Sequence, residues 1–496
     1  MISNQRRQLL LTSGAALAAG LGAGSADAQG APKGDAASAP TLAAAPKGPP
    51  AEPVTRILAR YAATARVDQV PAAVRKEATR TLLNWVGCAV GGSQQDAPTH
   101  AVAALKPFSG PPQASLFGRK ERLDAMQATL VNGISSHVLD YDDTHLKTII
   151  HPAGPVASAL TAFAEYRPVS GREFMNALVL GCEIECRLGN AVYPEHYALG
   201  WHITGTTGVF GAAAAVGRLL GLDEQHMTWA LGNAASQPVG LKVQFGSDTK
   251  SFHPGKAAQN GLLSALLAQQ GYTASEVAIE GFDGWGQAVS TRHDWAEVTQ
   301  GLGERYEAGL NTYKPFACGI VAHPAIDAAI QLRAANALRP EQIASVELKA
   351  HALTLNLMGK TEPRTGLEGK FSIYHATAVA LVTGRGGDQA FRDAAVNDPV
   401  VVAVRRKVAV TVDPSIKPDQ VDMTVTLTDG RKLHQFIEHA VGSQLHPMSD
   451  GQLEEKFLGQ SEGILAPEHG RRLLALCWKA WELDDAGDIG RAGAAA

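Results

Sequence analysis

The stretch Gly205–Leu222 limits the fold more than any other part of the chain. Half of it is glycine or alanine, and it carries one charge, Arg218. A helix with so few large side chains gains little from one-sided contact, so it is stable only where neighbouring helices approach closely on most sides. The same bias runs through the chain, which has 51 glycines and only 6% aromatic residues. Val74, Ala78, Leu82, Trp85 and Val86 follow helical spacing after Pro71, a residue suited to a helix start. Ser170-Gly-Arg-Glu173 and Thr273-Ala-Ser-Glu276 each fit a capping box opening an apolar helix. Strand signals are scarce here, so residues 54–308 are expected to form a helical domain of packed layers.

From 309 the pattern changes. Val346–Ala350 and Lys407–Val412 alternate like strands, and Val421–Thr428, Asp429-Gly430 and Lys432–Ile437 form a hairpin signal. Helices of good periodicity, Pro324–Ala335 and Ile373–Val382, lie between them, which predicts a compact α+β domain over 309–447. Residues 448–485 return to helix and are expected to complete the first domain, and the last dozen, rich in glycine and alanine, to fray. The predicted class is mainly α with an inserted α+β domain.

Residues 1–28 read as an address: Arg6 and Arg7 precede a weak apolar run, Leu9–Leu21, and Ala26-Asp-Ala28 supplies a cleavage site. This predicts twin-arginine export to a periplasm, with 29–53 a disordered tether of alanine, proline and glycine. Such a route carries folded protein, which agrees with five cysteines that make no framework and are expected to stay reduced. The balance of 44 basic against 48 acidic residues gives no field for nucleic acid or anionic lipid.

Chemistry concentrates in a few clusters. Asp140-Tyr-Asp-Asp-Thr144-His145 is followed by His151-Pro-Ala-Gly, Gly200-Trp-His202-Ile-Thr, Lys250-Ser-Phe-His253-Pro-Gly-Lys256, Tyr313-Lys314-Pro-Phe and Glu368-Gly-Lys370-Phe-Ser-Ile-Tyr374. Each sets glycine or proline beside histidine, lysine or aspartate, the mixture found where a helix starts or breaks at a pocket. Lysine point charges and histidine donors suit a small, multiply anionic molecule. Removing water or carbon dioxide from such a molecule needs fixed cations for the developing charge and one group to move a proton, usually histidine.

These same motifs, in this order over residues 54–480, resemble the MmgE/PrpD family, which includes 2-methylcitrate dehydratase, cis-aconitate decarboxylase and an epimerase of an amino-acid-like diacid. The resemblance implies a large helical domain, a smaller α+β lid and a homodimer. It implies a site of Asp140, Thr144, His151, His202, Lys250, Lys314 and Tyr374 between them. His151 is expected to move the proton, with Asp140 orienting it or His202, and Lys250 and Lys314 to clamp carboxylates. Thr144, His253, Lys370 and Tyr374 are expected to contact substrate. The loop Thr144–His151, with His145 and Lys147, departs from the cis-aconitate decarboxylase pattern and leaves the acid open.

No ligand spacing for a metal appears, Asp142-Asp143 alone is a weak cation site, and no dinucleotide fingerprint exists, so neither metal nor cofactor is expected. Gly459-Gln-Ser461-Glu-Gly463 matches a nucleophile elbow formally but follows a helix-like stretch where a strand is required. The reading is a metal-free lyase on a small di- or tricarboxylate; the alternatives are an epimerase of a related acid or a tricarboxylate-binding protein.

Overall fold

The computed structural model describes residues 53–496, so the leader and, apart from Pro53, the tether lie outside the described residues. The chain is mainly helical with small sheets. Ile203–Leu220 is one helix, buried without interruption from Ile203 to Gly217. It packs against Ala153–Tyr166, Gly171–Val192 and Thr249–Gln269. Glycines set these separations: a Cβ on Gly181 would stand 2.7 Å from the Gly211 carbonyl oxygen, and one on Gly133 would stand 2.3 Å from Gly255 Cα. The backbones themselves are in contact, which is why small residues are needed here.

Local signals act as expected in most places. Pro71 precedes the helix Ala72–Gly92, and the Ser170 hydroxyl accepts from Glu173 N–H at the start of Gly171–Val192. Thr273–Glu276 is different: it opens no helix. Gly281, Asp283 at φ +60° and Gly284 follow within a turn or two, and only the short helix Trp285–Val289 forms after them. All five cysteines are buried and free.

In the later part, a four-stranded sheet runs in the order Val408–Val412, Ile343–Ala350, Val421–Leu427, Lys432–Ile437. The first pair is parallel and the other two antiparallel. Val421, Met423, Val425 and Leu427 are buried while the residues between them are not, as the alternation predicts. Gly430, at φ +88°, makes the hairpin turn. The helices His323–Asn336 and Ile373–Thr383 cover one face. Asp450–Ser461 and Pro467–Trp478 then return to pack on Ala72–Gly92. The final residues correct the expectation of fraying: Gly487–Gly493 is helical, Ile489 is buried, and the Gly493 carbonyl accepts from Gly118 N–H. Small residues that look like a loose end are the ones able to sit against Ala153–Tyr166.

One short ladder matters most for function. Asp143–His145 pairs antiparallel with Asn311–Tyr313, Asp143 opposite Tyr313. It joins two of the sequence clusters across 168 residues and seats Lys314 beside the acidic run.

Two glycine-to-alanine changes with opposite expected signs check the close approach. Gly181→Ala should cost about 1–3 kcal/mol through overpacking against backbone. Gly459→Ala, with nothing within 4 Å and a helical position, should gain about 0.5–1 kcal/mol. Thermal or urea melts read both, and an unchanged melt for Gly181→Ala would contradict the backbone contact.

Candidate active site

The site forms where helices start or stop. Ala125–His137 ends at His137, and the chain then turns at Asp140, whose φ of +49° is uncommon for a residue with a side chain. His151 lies just before Ala153–Tyr166, its N–H donated to the Thr204 hydroxyl. His202 is the cap residue of Ile203–Leu220, and Lys250 and His253 lie in the first turns of Thr249–Gln269. Lys314 follows the strand Asn311–Tyr313.

These residues meet in one buried cluster. Asp140 Oδ1 accepts from both Lys250 Nζ and Lys314 Nζ, each at 2.8 Å. Lys250 Nζ also donates to His137 Nε2 at 2.9 Å, so the His137 proton is on Nδ1, 2.6 Å from Asp142 Oδ2. His151 Nδ1 donates to the Asp143 carbonyl at 2.7 Å, which leaves Nε2 as the basic nitrogen; among the described residues it has no partner. His202 Nδ1 and His253 Nδ1 are 3.0 Å apart and share one proton. Ring centroids of His137, His151 and His202 lie 4.8–6.2 Å from one another. Phe245 and Phe371 stack on each other, and the Lys250 ammonium lies 5.4 Å from each ring.

Burial and charge set the protonation states. Burial opposes ionisation of Asp140, but Lys250 and Lys314 overcome it and hold this carboxyl well below its usual range. Lys314 is raised because Asp140 and Asp142 outweigh its burial, whereas for Lys250 burial prevails and the value falls. Burial, with Lys314, His137 and Lys250 adding to it against the pull of Asp142, takes His151 down to about 3. His202 is also far below its ordinary value, first through burial and then through His253 and Lys250. The imidazoles are therefore neutral, and the charge rests on two lysines and two aspartates.

Asp140, His151, His202, Lys250 and Lys314 line a cavity of about 40 Å³ together with the apolar Phe245, Ile320, Leu357, Met358 and Phe371. Ordinary small-ligand pockets are roughly 300–1,000 Å³. This cavity is therefore smaller than a citrate-sized acid requires. A larger cavity of about 800 Å³ lies behind Leu139 and Tyr141 and contains none of these histidines. The small cavity is the chemical one, because the convergent polar groups are there.

Several expectations need correction. Asp140 was expected to orient a histidine; it holds the two lysines, and Asp142 and the Asp143 carbonyl orient His137 and His151. Lys370 Nζ donates to the Leu139 and Ala317 carbonyls rather than being presented to a ligand. His253 is paired with His202, and Thr144 Oγ1 lies 3.4 Å from His151 Nδ1. Tyr374 is half-buried against the apolar core around the sheet and lines neither this cavity nor its smaller neighbour. His145, the variant loop residue, is tied to Glu307 at 3.1 Å.

The sequence reading missed His137, which ends an apolar helix with no glycine or proline to mark it. Its spacing, His137-x-x-Asp140-x-Asp142, was the available signal. Nor did local spacing reveal a possible ligand set. His137, His151 and His202 bring ligand atoms within 4.8 Å of one another, as do His137, Asp140, Asp142 and His151. Both sets share His137, whose Nε2 accepts from Lys250 and whose Nδ1 lies on Asp142, and Asp140 already holds two ammonium groups.

Asp143 supplies a pH test. Its Oδ2 accepts from Ala153 N–H and Asn311 Nδ2, while Oδ1 is unpartnered among the described residues. Burial first, then Asp142, raise its pKa from 3.8 to about 7. Between those values the folded protein keeps a proton that the unfolded chain has released, so stability falls as pH rises through this window. Asp143→Asn removes the effect. Its melting temperature relative to wild type should climb from pH 3.8 to about 7 and then level off. A constant offset across that range would contradict the raised carboxyl.

Comparison with known proteins identifies the family. The MmgE/PrpD N-terminal domain matches residues 56–298 and the MmgE/PrpD C-terminal domain matches 316–480. A cis-aconitate decarboxylase of Aspergillus terreus is 26% identical over 82% of this chain and 88% of its own. The human cis-aconitate decarboxylase is 26% identical over 85% and 90%. The 2-methylcitrate dehydratase of Cupriavidus necator is 23% identical over 80% and 88%. With both family domains matched in order, the chain belongs to the MmgE/PrpD family and is an enzyme of its lyase type.

Proposed function

We propose that this enzyme removes water or carbon dioxide from a small di- or tricarboxylate of the citrate or aconitate class, without a metal. The observation that carries this is the pair of ammonium groups sharing one carboxylate oxygen beside a neutral His151 with a free Nε2. An ammonium has three N–H donors. Lys250 and Lys314 each spend two on protein acceptors, which leaves one apiece for a substrate carboxylate. The names of the relatives, cis-aconitate decarboxylase and 2-methylcitrate dehydratase, support the same substrate class.

His151 Nε2 takes or gives the proton at carbon. Its pKa is low first through burial and then because the Lys314 and Lys250 ammonium groups repel a third positive charge. A bound polyanion cancels that repulsion and raises His151, so substrate prepares its own base. In dehydration Nε2 accepts the proton next to a carboxylate as hydroxide leaves, with the charge stabilised by the lysines. In decarboxylation the C–CO₂ bond breaks, the electron pair spreads into the remaining enoate, and His151, protonated from water once the bound polyanion has raised its pKa, donates the Nε2 proton to carbon as carbon dioxide leaves. The apolar lining of the cavity closes over the acid and keeps water out. Export by the twin-arginine route, homodimeric assembly and a lid formed by residues 309–447 belong to the same proposal, the first supported by the Arg6-Arg7 motif and the other two by the family resemblance.

A second reading is an epimerase, favoured by His202 as another neutral imidazole on the same cavity, 6.2 Å from His151 between ring centroids. A panel of citrate-like acids, assayed in EDTA by alkene absorbance and optical rotation, separates the readings. Alkene gain or loss is expected, whereas rotation change alone means epimerisation and tight binding without turnover means a binding protein. His151→Gln should lower turnover by about 10²–10⁴-fold with binding largely kept. Lys250→Ala and Lys314→Ala should weaken binding as well. A His151→Gln enzyme keeping more than about a tenth of wild-type turnover would remove His151 from this role.

A further inference from the structure

Lys456 is a buried cation that the chemistry above leaves unused. It lies on the helix Asp450–Ser461, among charged neighbours that suggest a solvated face, yet its side chain is buried. Its Nζ donates to Asn84 Oδ1 at 2.7 Å, the Tyr141 carbonyl at 2.6 Å and the Lys314 carbonyl at 2.8 Å. The ammonium lies 4.0 Å from the Tyr141 ring centroid. It thus uses all three donors on neutral oxygens, and no carboxylate pairs with it among the described residues. A buried charge so held costs stability, so its return must be sought elsewhere.

Its acceptors show the pattern. Three consecutive carbonyls each take a lysine ammonium: Leu139 from Lys370, Asp140 from Lys314 and Tyr141 from Lys456. Asp140 stands between them in the left-handed region, a conformation that persists only when the surroundings impose it. Leu139 and Tyr141 face the large cleft while Asp140 faces the small cavity, so this segment is the wall between the two. Lys456 joins that wall to the backbone of Lys314 and to the Ala72–Gly92 helix.

We propose that Lys456 is a positioning residue: without touching substrate, it fixes the Tyr141 and Lys314 backbones so that Asp140 stays between Lys250 and Lys314. This rests on the proposed role of that lysine pair. The tie also responds to pH. Burial, opposed by Cys88 and Asp142, lowers Lys456 to about 8, and Lys314 adds to the fall. Asp143 and Tyr141 on the wall, His323 beyond Lys314, and Arg385 and Asp388 across the cleft complete its charged and titratable surroundings. A neutral amine has two N–H donors for three acceptors, so one bond is lost as pH rises through about 8.

Lys456→Met and Lys456→Arg test the tie through kcat, KM and amide hydrogen exchange of residues 138–145, each followed from about pH 7 to about pH 9.5. The Met variant should lose about 100-fold in kcat, with the smaller change in KM, as expected for a misplaced constellation. Exchange in 138–145 should rise by about tenfold or more. The wild type should lose kcat above about pH 8, and the Arg variant should recover part of the activity and carry that limb to higher pH. A Met variant with wild-type kcat and exchange overturns the proposal, as does an Arg variant whose limb does not move. Should the Met variant fail to fold, wild-type exchange across the same pH range decides: protection lost above about pH 8 upholds the tie, and constant protection overturns it. The two readings fail separately. If exchange responds but no acid turns over, the lyase reading falls and the tie stands; if an active enzyme shows indifferent exchange, the tie falls alone.

Discussion

One carboxylate oxygen shared by two buried ammonium groups is the constraint on which the rest of this structure turns. Asp140 Oδ1 lies 2.8 Å from both Lys250 Nζ and Lys314 Nζ, in surroundings that penalise any unpaired charge. Without Asp140 the two buried lysines would repel each other, which favours loss of a proton. With it, they stay cationic and each keeps one donor in reserve. The backbone meets this demand through a left-handed Asp140, and the carbonyls on either side of it are bound by further lysines.

The scaffold follows from the same need for fixed geometry. Helices in backbone contact at Gly181 with Gly211 and Gly133 with Gly255 leave little room for sliding; His202 and Lys250 are placed at or near the starts of two of them, and His151 just before their neighbour Ala153–Tyr166. The ladder between Asp143–His145 and Asn311–Tyr313 then joins Lys314 to that frame. The apolar lining of the cavity includes Leu357 and Met358 on the short helix Ala352–Met358, and Phe371 in the turn before Ile373–Thr383.

Periodicity and turn chemistry made the mainly helical class and its small α/β part legible. The hairpin at Asp429-Gly430, the helix after Ser170 and the buried Gly205–Leu222 stretch were all readable locally. Thr273–Glu276 misled because a capping signal cannot start a helix against nearby glycines, and the C-terminal residues misled because small side chains serve tight packing as well as loose ends. At the site, residue types beside glycine and proline identified His151, His202, Lys250, Lys314 and Asp140. Pairings were not legible. That Asp140 binds lysines, that Lys370 binds carbonyls, and that His137 and Lys456 belong to the cluster are facts of tertiary contact between distant segments. Tyr374 was carried by its motif alone, and the helix Ile373–Thr383 packs it against the sheet core instead.

The central claim is electrostatic: His151 is neutral in the free enzyme and acquires basicity when an anion offsets the lysines. Nitrogen-15 NMR of labelled imidazoles measures this directly, with His151→Gln assigning the signal. Without ligand, His151 should stay neutral with its proton on Nδ1 down to about pH 5, below the usual histidine range. Saturating citrate or another unreactive tricarboxylate should raise its pKa by about one unit or more. A His151 that is already cationic near neutral pH in the free protein, or whose titration ignores the bound acid, would contradict the account.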